Sequence, residues 1–177
     1  MFKSILISSI ILFVTTIIES SIFTNIPFFI VVPDVVLICS IYFSLTNGKL
    51  FGEISGFISG LFLDFITGVP FGLNTLLRTI IGYLMGLFAK SVIISGLIMP
   101  VLSVGIGTLI KRLLLIIVSL VFPKINLSIY GFISSQFLFE FCANIILAPV
   151  IFYILGFFKK SISLYDEKDM IGNENSK

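Results

Sequence analysis

Residues 48–90 decide the fold of this chain: GKLFGEISGFISGLFLDFITGVPFGLNTLLRTIIGYLMGLFAK. They contain two apolar segments joined by a short turn rich in glycine and proline. The first segment carries a glycine at every fourth position, Gly52, Gly56 and Gly60, so one stripe of a helix would have almost no side chain. A neighbouring backbone can approach such a stripe closely. The pattern therefore predicts a packing helix followed by an antiparallel second helix.

Two opposite charges flank the turn of this hairpin. Asp64 lies one helical turn after Gly60, and Arg78 lies seven residues beyond the turn centred near Phe71. Each charge is then about 10 Å from the turn by helical rise. Because a lone charge in hydrocarbon costs several kcal/mol, we predict that Asp64 and Arg78 pair directly or share a neighbour. The alternative is that both side chains extend outward to the nearby interface.

The composition places the chain in a lipid bilayer. Of its 177 residues, 58% are hydrophobic and only 11% are charged, and the mean hydropathy is +1.21. Since each transmembrane helix takes roughly 20 residues, the chain has room for about six spans and for no sizeable soluble domain. The net charge of +2 is too small to indicate nucleic-acid binding. We predict an all-α integral membrane bundle of about six transmembrane helices.

The predicted spans are residues 4–23, 35–45, 50–66, 71–89, 91–122 and 129–158. The third and fourth spans are expected to form the packing centre of the bundle. Pro100 is expected to kink the long fifth span. In this interpretation residues 1–160 form the transmembrane domain, and the charged residues 161–177 form a polar cytoplasmic tail.

The sequence does not favour catalysis. Histidine is absent, and Cys39 and Cys142 both lie in apolar segments, so we predict no metal site, no cofactor and no disulfide. The sequence shows no nucleophile–base pair and no phosphate-binding loop. Structure, proton movement and ligand binding all remain open as roles for the carboxylates in the spans, which are Glu19, Asp34, Asp64 and Glu140.

The other charges within the spans also have structural interpretations. Asp34 opens the second span, where capping of free amides is a sufficient structural reason for a carboxylate. Lys111 and Arg112 lie about as far before the turn near Ile125 as Glu140 lies after it. This match in depth predicts a polar contact between the fifth and sixth spans. Alternatively, the two basic residues mark the membrane edge of a shorter fifth helix.

A second stripe with four-residue spacing runs along the fourth span, through Asn74, Arg78, Gly82 and Gly86. Small residues at this spacing allow membrane helices to pack closely, so the stripe can face the glycines of the third span. We expect Gly82 and Gly86, or the fifth span around Gly105, to provide the outer surface for a partner helix.

Residues 33–86 resemble the signature region of the rod shape-determining protein MreD family. The matching features are Pro33 and Asp34 at the start of a span, the G-x-x-x-G-x-x-x-G-x-x-x-D series ending at Asp64, and the G-x-P-x-G-x-N turn from Gly68 to Asn74. The resemblance implies a non-enzymatic protein of the bacterial cytoplasmic membrane that works with MreC, the MreB filament and the wall-elongation synthases. It also implies a fold distantly similar to the substrate-binding subunits of energy-coupling-factor vitamin transporters.

Three functions are compatible with these residues. The first is a membrane scaffold of the cell-elongation machinery that binds an MreC-like single-span partner. The second is the substrate-binding subunit of an energy-coupling-factor type vitamin transporter, in which Arg78 and the outer acidic residues line a pocket. The third is a structural membrane protein of unrelated role. An adjacent reading frame for a single-span coiled-coil protein would favour the first, and one for an ATPase the second.

The positions of the lysines predict the orientation in the membrane. One face of the membrane receives Lys3, Lys49, Lys90, Lys159 and Lys160, whereas Lys124 alone stands clearly on the other. The positive-inside rule therefore places both termini in the cytoplasm. Reporter fusions after Gly48, Lys90 and Lys160 should give cytoplasmic signals, and fusions near Pro27, Pro70 and Lys124 should give outside signals. An outside signal at Lys90 together with an inside signal near Lys124 would contradict the six-span topology.

Overall fold

A computed structural model describes residues 2–21, 32–89, 96, 98–122 and 134–162. These residues form helices and no strand: α1 Phe2–Ser21, α2 Val35–Asn47, α3 Lys49–Thr67, α4 Leu73–Leu87, α5 Ile98–Val121, α6 Ser135–Phe157 and the short α7 Lys159–Ile162. In the described ranges α1, α3, α5 and α6 are long and apolar enough to cross a membrane, and α2 and α4 are shorter apolar helices. The predicted all-α membrane bundle is therefore confirmed.

Helix α2 is the centre of the bundle. Every residue from Val36 to Leu45 is buried, and α2 packs against α1, α3, α4, α5 and α6. Its 13 residues span only about 20 Å by helical rise, which is less than the roughly 30 Å of a hydrocarbon core. A helix this short can lie inside a membrane protein because other helices, rather than lipid, surround it. The third and fourth spans, which are α3 and α4, were expected to be the packing centre. They do pack closely, backbone against backbone, but the helix that contacts all the others from α1 to α6 is α2.

The backbones of α3 and α4 touch along the two glycine stripes. A Cβ atom added to Gly52 would overlap the carbonyl oxygen of Gly82, and one added to Gly56 would overlap the carbonyl oxygen of Arg78. At the other end of the hairpin, a Cβ on Gly86 would lie 2.5 Å from the Cα of Lys49. The two stripes thus face each other, as their spacing predicts.

The glycines expected to form an outer surface for a partner lie inside the protein. Gly82 and Gly86 are buried against α3. Gly105 is buried too, and its nearest neighbours are the side chains of Phe141 and Ile145 on α6. This prediction was wrong because a stripe of small residues marks close packing, whether the neighbouring helix belongs to the same chain or to another.

Two expectations for the fifth span are also corrected. Helix α5 begins at Ile98, so Pro100 lies in its first turn, where no amide donor is required and proline is tolerated, and not in the middle of a helix. Lys111 and Arg112 do not mark the end of a shorter helix, because α5 continues to Val121.

Helix α1 has a buried face that sequence reasoning missed. Its buried residues are Ser4, Ser8, Leu12 and Thr16, and α1 packs against α3. Small polar residues four positions apart let two membrane helices approach in the same way as glycine does. The four-residue spacing could have revealed this face.

Several predictions concern residues outside the described ranges. These are the turns near Pro27 and Lys124, residues 91–95 of the fifth span, residues 129–133 of the sixth, and most of the polar tail.

Alanine at a stripe glycine should separate α3 from α4. Gly56→Ala places a Cβ against the backbone of Arg78 and should cost about 2 kcal/mol or more of stability, because backbone cannot move aside as a flexible side chain can. The measurement is the thermal unfolding midpoint of the detergent-solubilised protein. Gly156→Ala on α6 is the matched control, since a Cβ there meets nothing within 4 Å. Equal midpoints for the two variants would contradict the close packing.

Candidate functional site

Asp34 is the centre of a cluster of charged side chains inside the bundle. It precedes α2, and its Oδ1 accepts a hydrogen bond from the backbone N–H of Leu37 at 2.9 Å, which caps the helix. The same oxygen accepts from Nη2 of Arg78 at 2.6 Å, and Oδ2 accepts from Nζ of Lys111 at 2.6 Å. The side chain of Asp34 is only 5% exposed. One carboxylate thus caps α2 and is the counterion for cations on α4 and α5.

Backbone amides at the start of α2 also bind side chains from α1 and α6. The N–H of Asp34 donates to Oδ1 of Asn144 at 2.8 Å, and the N–H of Val36 donates to Oε2 of Glu19 at 2.9 Å. Nδ2 of Asn144 donates in turn to the hydroxyl of Thr108 on α5 at 3.2 Å. The first amides of any helix lack partners within the helix, and lipid offers none. Side chains of neighbouring helices supply them here.

Lys111 links Asp34 to a second carboxylate. Its Nζ donates to Oε1 of Glu140 at 2.7 Å, which is the contact between the fifth and sixth helices that the charge positions predict. The side chains of Lys111 and Glu140 are 21% and 19% exposed, whereas those of Asp34 and Arg78 are nearly fully buried. The next residue, Arg112, places its guanidinium carbon 5.3 Å from the ring centroid of Phe137 on α6, within the range of a cation–π contact.

With the Asn47 end of α2 at the membrane surface, the helix lengths put the cluster inside the hydrocarbon core. Asp34 is about 20 Å from the Asn47 end of α2 by helical rise, and a hydrocarbon core is roughly 30 Å thick. At this depth an isolated charge is costly, so charged residues face protein and pair with one another. The cluster satisfies this requirement, because Arg78 and Lys111 are each bonded to a carboxylate.

Asp64 is not a member of the charged cluster, and its predicted pairing with Arg78 is wrong. Its carboxylate accepts hydrogen bonds from the backbone N–H groups of Gly72, Asn74 and Thr75 at 3.0, 2.9 and 3.1 Å, and from the Thr75 hydroxyl at 2.6 Å. Asp64 therefore caps the start of α4, where free amides and the helix dipole favour a carboxylate. Asn74 contributes its backbone to this cap. Arg78, one turn further along α4, reaches Asp34 instead.

The charges of the cluster bind one another and the free amides of a helix end, which is a structural role. In the described part of the chain, no group of three histidine, cysteine, aspartate or glutamate side chains is placed to hold a metal ion. Sequence reasoning did not select Glu19, Thr108 or Asn144 as members of the cluster. Asn144 could have been found, because it lies one helical turn after Glu140 on the same face of α6.

The fold and the cluster define a class: an all-helical multi-pass membrane protein whose buried charges hold its helices together. A family model described as rod shape-determining protein MreD matches residues 2–158. The chain therefore belongs to the MreD family, which is a structural, shape-determining family. Neither a curated protein nor a solved structure matches the chain. The match extends the resemblance beyond residues 33–86 to the last two spans.

Removing the charge of Asp34 should destabilise the protein. Asp34→Asn keeps a good helix-capping side chain but leaves Arg78 buried without a counterion, which should cost about 3 kcal/mol. The measurement is again the thermal unfolding midpoint in detergent. Combining Asp34→Asn with Arg78→Met should recover part of the loss, because no cation is then stranded on α4.

Asp64→Asn is the matched control. It removes a carboxylate that also caps a helix but forms no ion pair with any described residue, so the loss of stability should be only about 1 kcal/mol. A larger loss for Asp64→Asn than for Asp34→Asn would contradict the assignment of Asp34 as the counterion.

Proposed function

We propose that this protein is a non-enzymatic scaffold of the bacterial cell-elongation machinery, in which it binds an MreC-like single-span partner. The observation that carries the proposal is the MreD family match over residues 2–158, a range that includes helices α1 to α6. Through this partner the protein acts with the MreB filament and the wall-elongation synthases in peptidoglycan synthesis.

The placement of the charges supports a scaffold. Arg78, which would line the pocket in the transporter alternative, is buried against Asp34 and is used to hold α4 to α2. A protein with almost all of its described mass in membrane helices acts on other proteins chiefly through the outer faces of those helices. Exposed large apolar side chains are frequent on α1, α5 and α6, which are faces suited to lipid or to another transmembrane helix.

The proposed location is the cytoplasmic membrane with both termini in the cytoplasm. The support is the lysine asymmetry, because Lys49 at the start of α3 and Lys159 after α6 stand at helix ends that share one face in an alternating topology. The C-terminal end of the chain then lies on the cytoplasmic side, which is the side of the internal filament.

Depleting the protein should turn elongated cells round or make them bulge, because wall synthesis would lose its link to the internal filament. Affinity purification in mild detergent should recover an MreC-like protein without any added substrate. Cell shape is measured by microscopy and the partner is identified by mass spectrometry.

One combined outcome would overturn the proposal. Unchanged cell shape, copurification of a transporter ATPase and tight binding of a vitamin would identify a transport subunit instead. A Gly156→Ala variant should restore the shape of the depleted cells, because the added Cβ meets nothing within 4 Å and leaves the helix packing unchanged. This variant is the control for complementation.

A further inference from the structure

The described helices form an incomplete ring around α2. Helix α1 packs against α3, α3 against α4, α4 against α5 and α5 against α6, and all five contact α2. Helices α1 and α6 do not pack along each other, although the short α7 contacts both. Apart from α7 at one end, no described helix lies between α1 and α6, so the ring formed by the described helices is open along the rest of this side.

The faces that border this opening follow from the contacts on the other sides of the two helices. On α1 the ring of Phe13 packs on Phe62 of α3 with centroids 5.1 Å apart, so the opposite face, with Ile11 and Ile18, is turned toward the opening. On α6 the side chains of Phe141 and Ile145 contact Gly105 of α5. Glu140, Leu147 and Ile154, which are spaced seven residues apart, lie on a different face of α6 from Phe141 and Ile145, and the long side chain of Lys111 reaches Glu140 from α5.

The opening is apolar along most of its length and polar at one level. Ile7 and Ile11 of α1 and Leu147 and Ile151 of α6 are half-buried and pack against the core. At the level of Asp34 stand the side chains of Glu140 and Lys111, each about a fifth exposed. Oε1 of Glu140 accepts from Lys111, and Oε2 accepts no hydrogen bond within the described part of the chain.

A partly exposed carboxylate at hydrocarbon depth requires a hydrogen-bond donor. An acyl chain provides none, so lipid filling the opening would leave Oε2 of Glu140 unsatisfied, at a free-energy cost. Hydroxyl, amide or basic side chains on a transmembrane helix do provide one, and polar contacts of this kind hold membrane helices together. The apolar stretch of the opening fits the remainder of such a helix.

We infer that the opening between α1 and α6 receives the single transmembrane helix of a partner protein, which presents a hydrogen-bond donor to Glu140. This inference rests on the proposed function, in which the protein binds a single-span partner, and it names the surface that does so. The partner helix completes the ring around α2 as a sixth outer helix.

Site-directed photocrosslinking in cells that co-express the MreC-like partner tests the inference. A photoreactive amino acid is placed at Ile18 on α1 or Ile154 on α6, which are 41% and 51% exposed and border the opening. Phe57 on α3 and Leu76 on α4, which are 49% and 52% exposed, are the matched control positions on other faces. The partner should crosslink at Ile18 and Ile154 and only at background level at Phe57 and Leu76.

A substitution provides a second measurement. Glu140→Gln keeps the size of the side chain but removes its charge, and the amount of partner copurified should fall by roughly tenfold. The control is Glu53→Gln on α3, outside the cluster, which should leave copurification unchanged. Crosslinking at Ile18 and Ile154 keeps the test decisive if Glu140→Gln lowers the amount of folded protein.

The outcomes separate this inference from the proposed function. Copurification of the partner with crosslinks only at Phe57 or Leu76 would overturn the docking site and leave the scaffold function intact. Crosslinks at Ile18 and Ile154 to a second copy of this chain, or to lipid alone, would also overturn the docking site. Failure to recover the partner under any condition would overturn the proposed function and this inference with it.

Discussion

The free backbone amides at the start of α2 are the constraint on which the rest of the structure depends. This helix begins inside the bundle, where neither water nor its own carbonyl groups can satisfy its first N–H groups. The side chains of Asp34, Asn144 and Glu19 satisfy three of these amides. Because the partners come from α1, α6 and the residue before α2 itself, capping one helix end fixes the positions of several helices.

The carboxylate that caps α2 needs counterions in turn. Arg78 and Lys111 bind its two oxygens, and Lys111 also binds Glu140. These bonds connect two differently built parts of the bundle: α3 and α4, which pack backbone to backbone through glycine, and α5 and α6, which pack through larger side chains. The cluster is therefore a structural junction. The outer faces of the described helices carry exposed apolar side chains that are available for contacts in the membrane, which the proposed scaffold function requires.

For the charged residues, depth along a helix was predictable from the sequence, but the partner that each side chain reaches around the helix was not. Counting residues from a turn placed Lys111 level with Glu140, and these two side chains do meet. The same counting placed Asp64 level with Arg78, yet Asp64 binds the amides of Gly72, Asn74 and Thr75. A pair matched in depth forms only when neither member has a better partner nearby. Free amides at the start of a helix are such a partner for a carboxylate.

The sequence by itself determined the membrane class, the helical architecture and the close contact between α3 and α4, because hydropathy and the spacing of glycine act locally along one or two helices. Only the tertiary structure decided that the short α2 is the central helix, that Asp34 and not Asp64 is the counterion of Arg78, and that α1 and α6 leave the ring open. These features depend on where helices distant in sequence meet, and Asp34 and Lys111 are 77 residues apart. Local periodicity contains no information about such meetings.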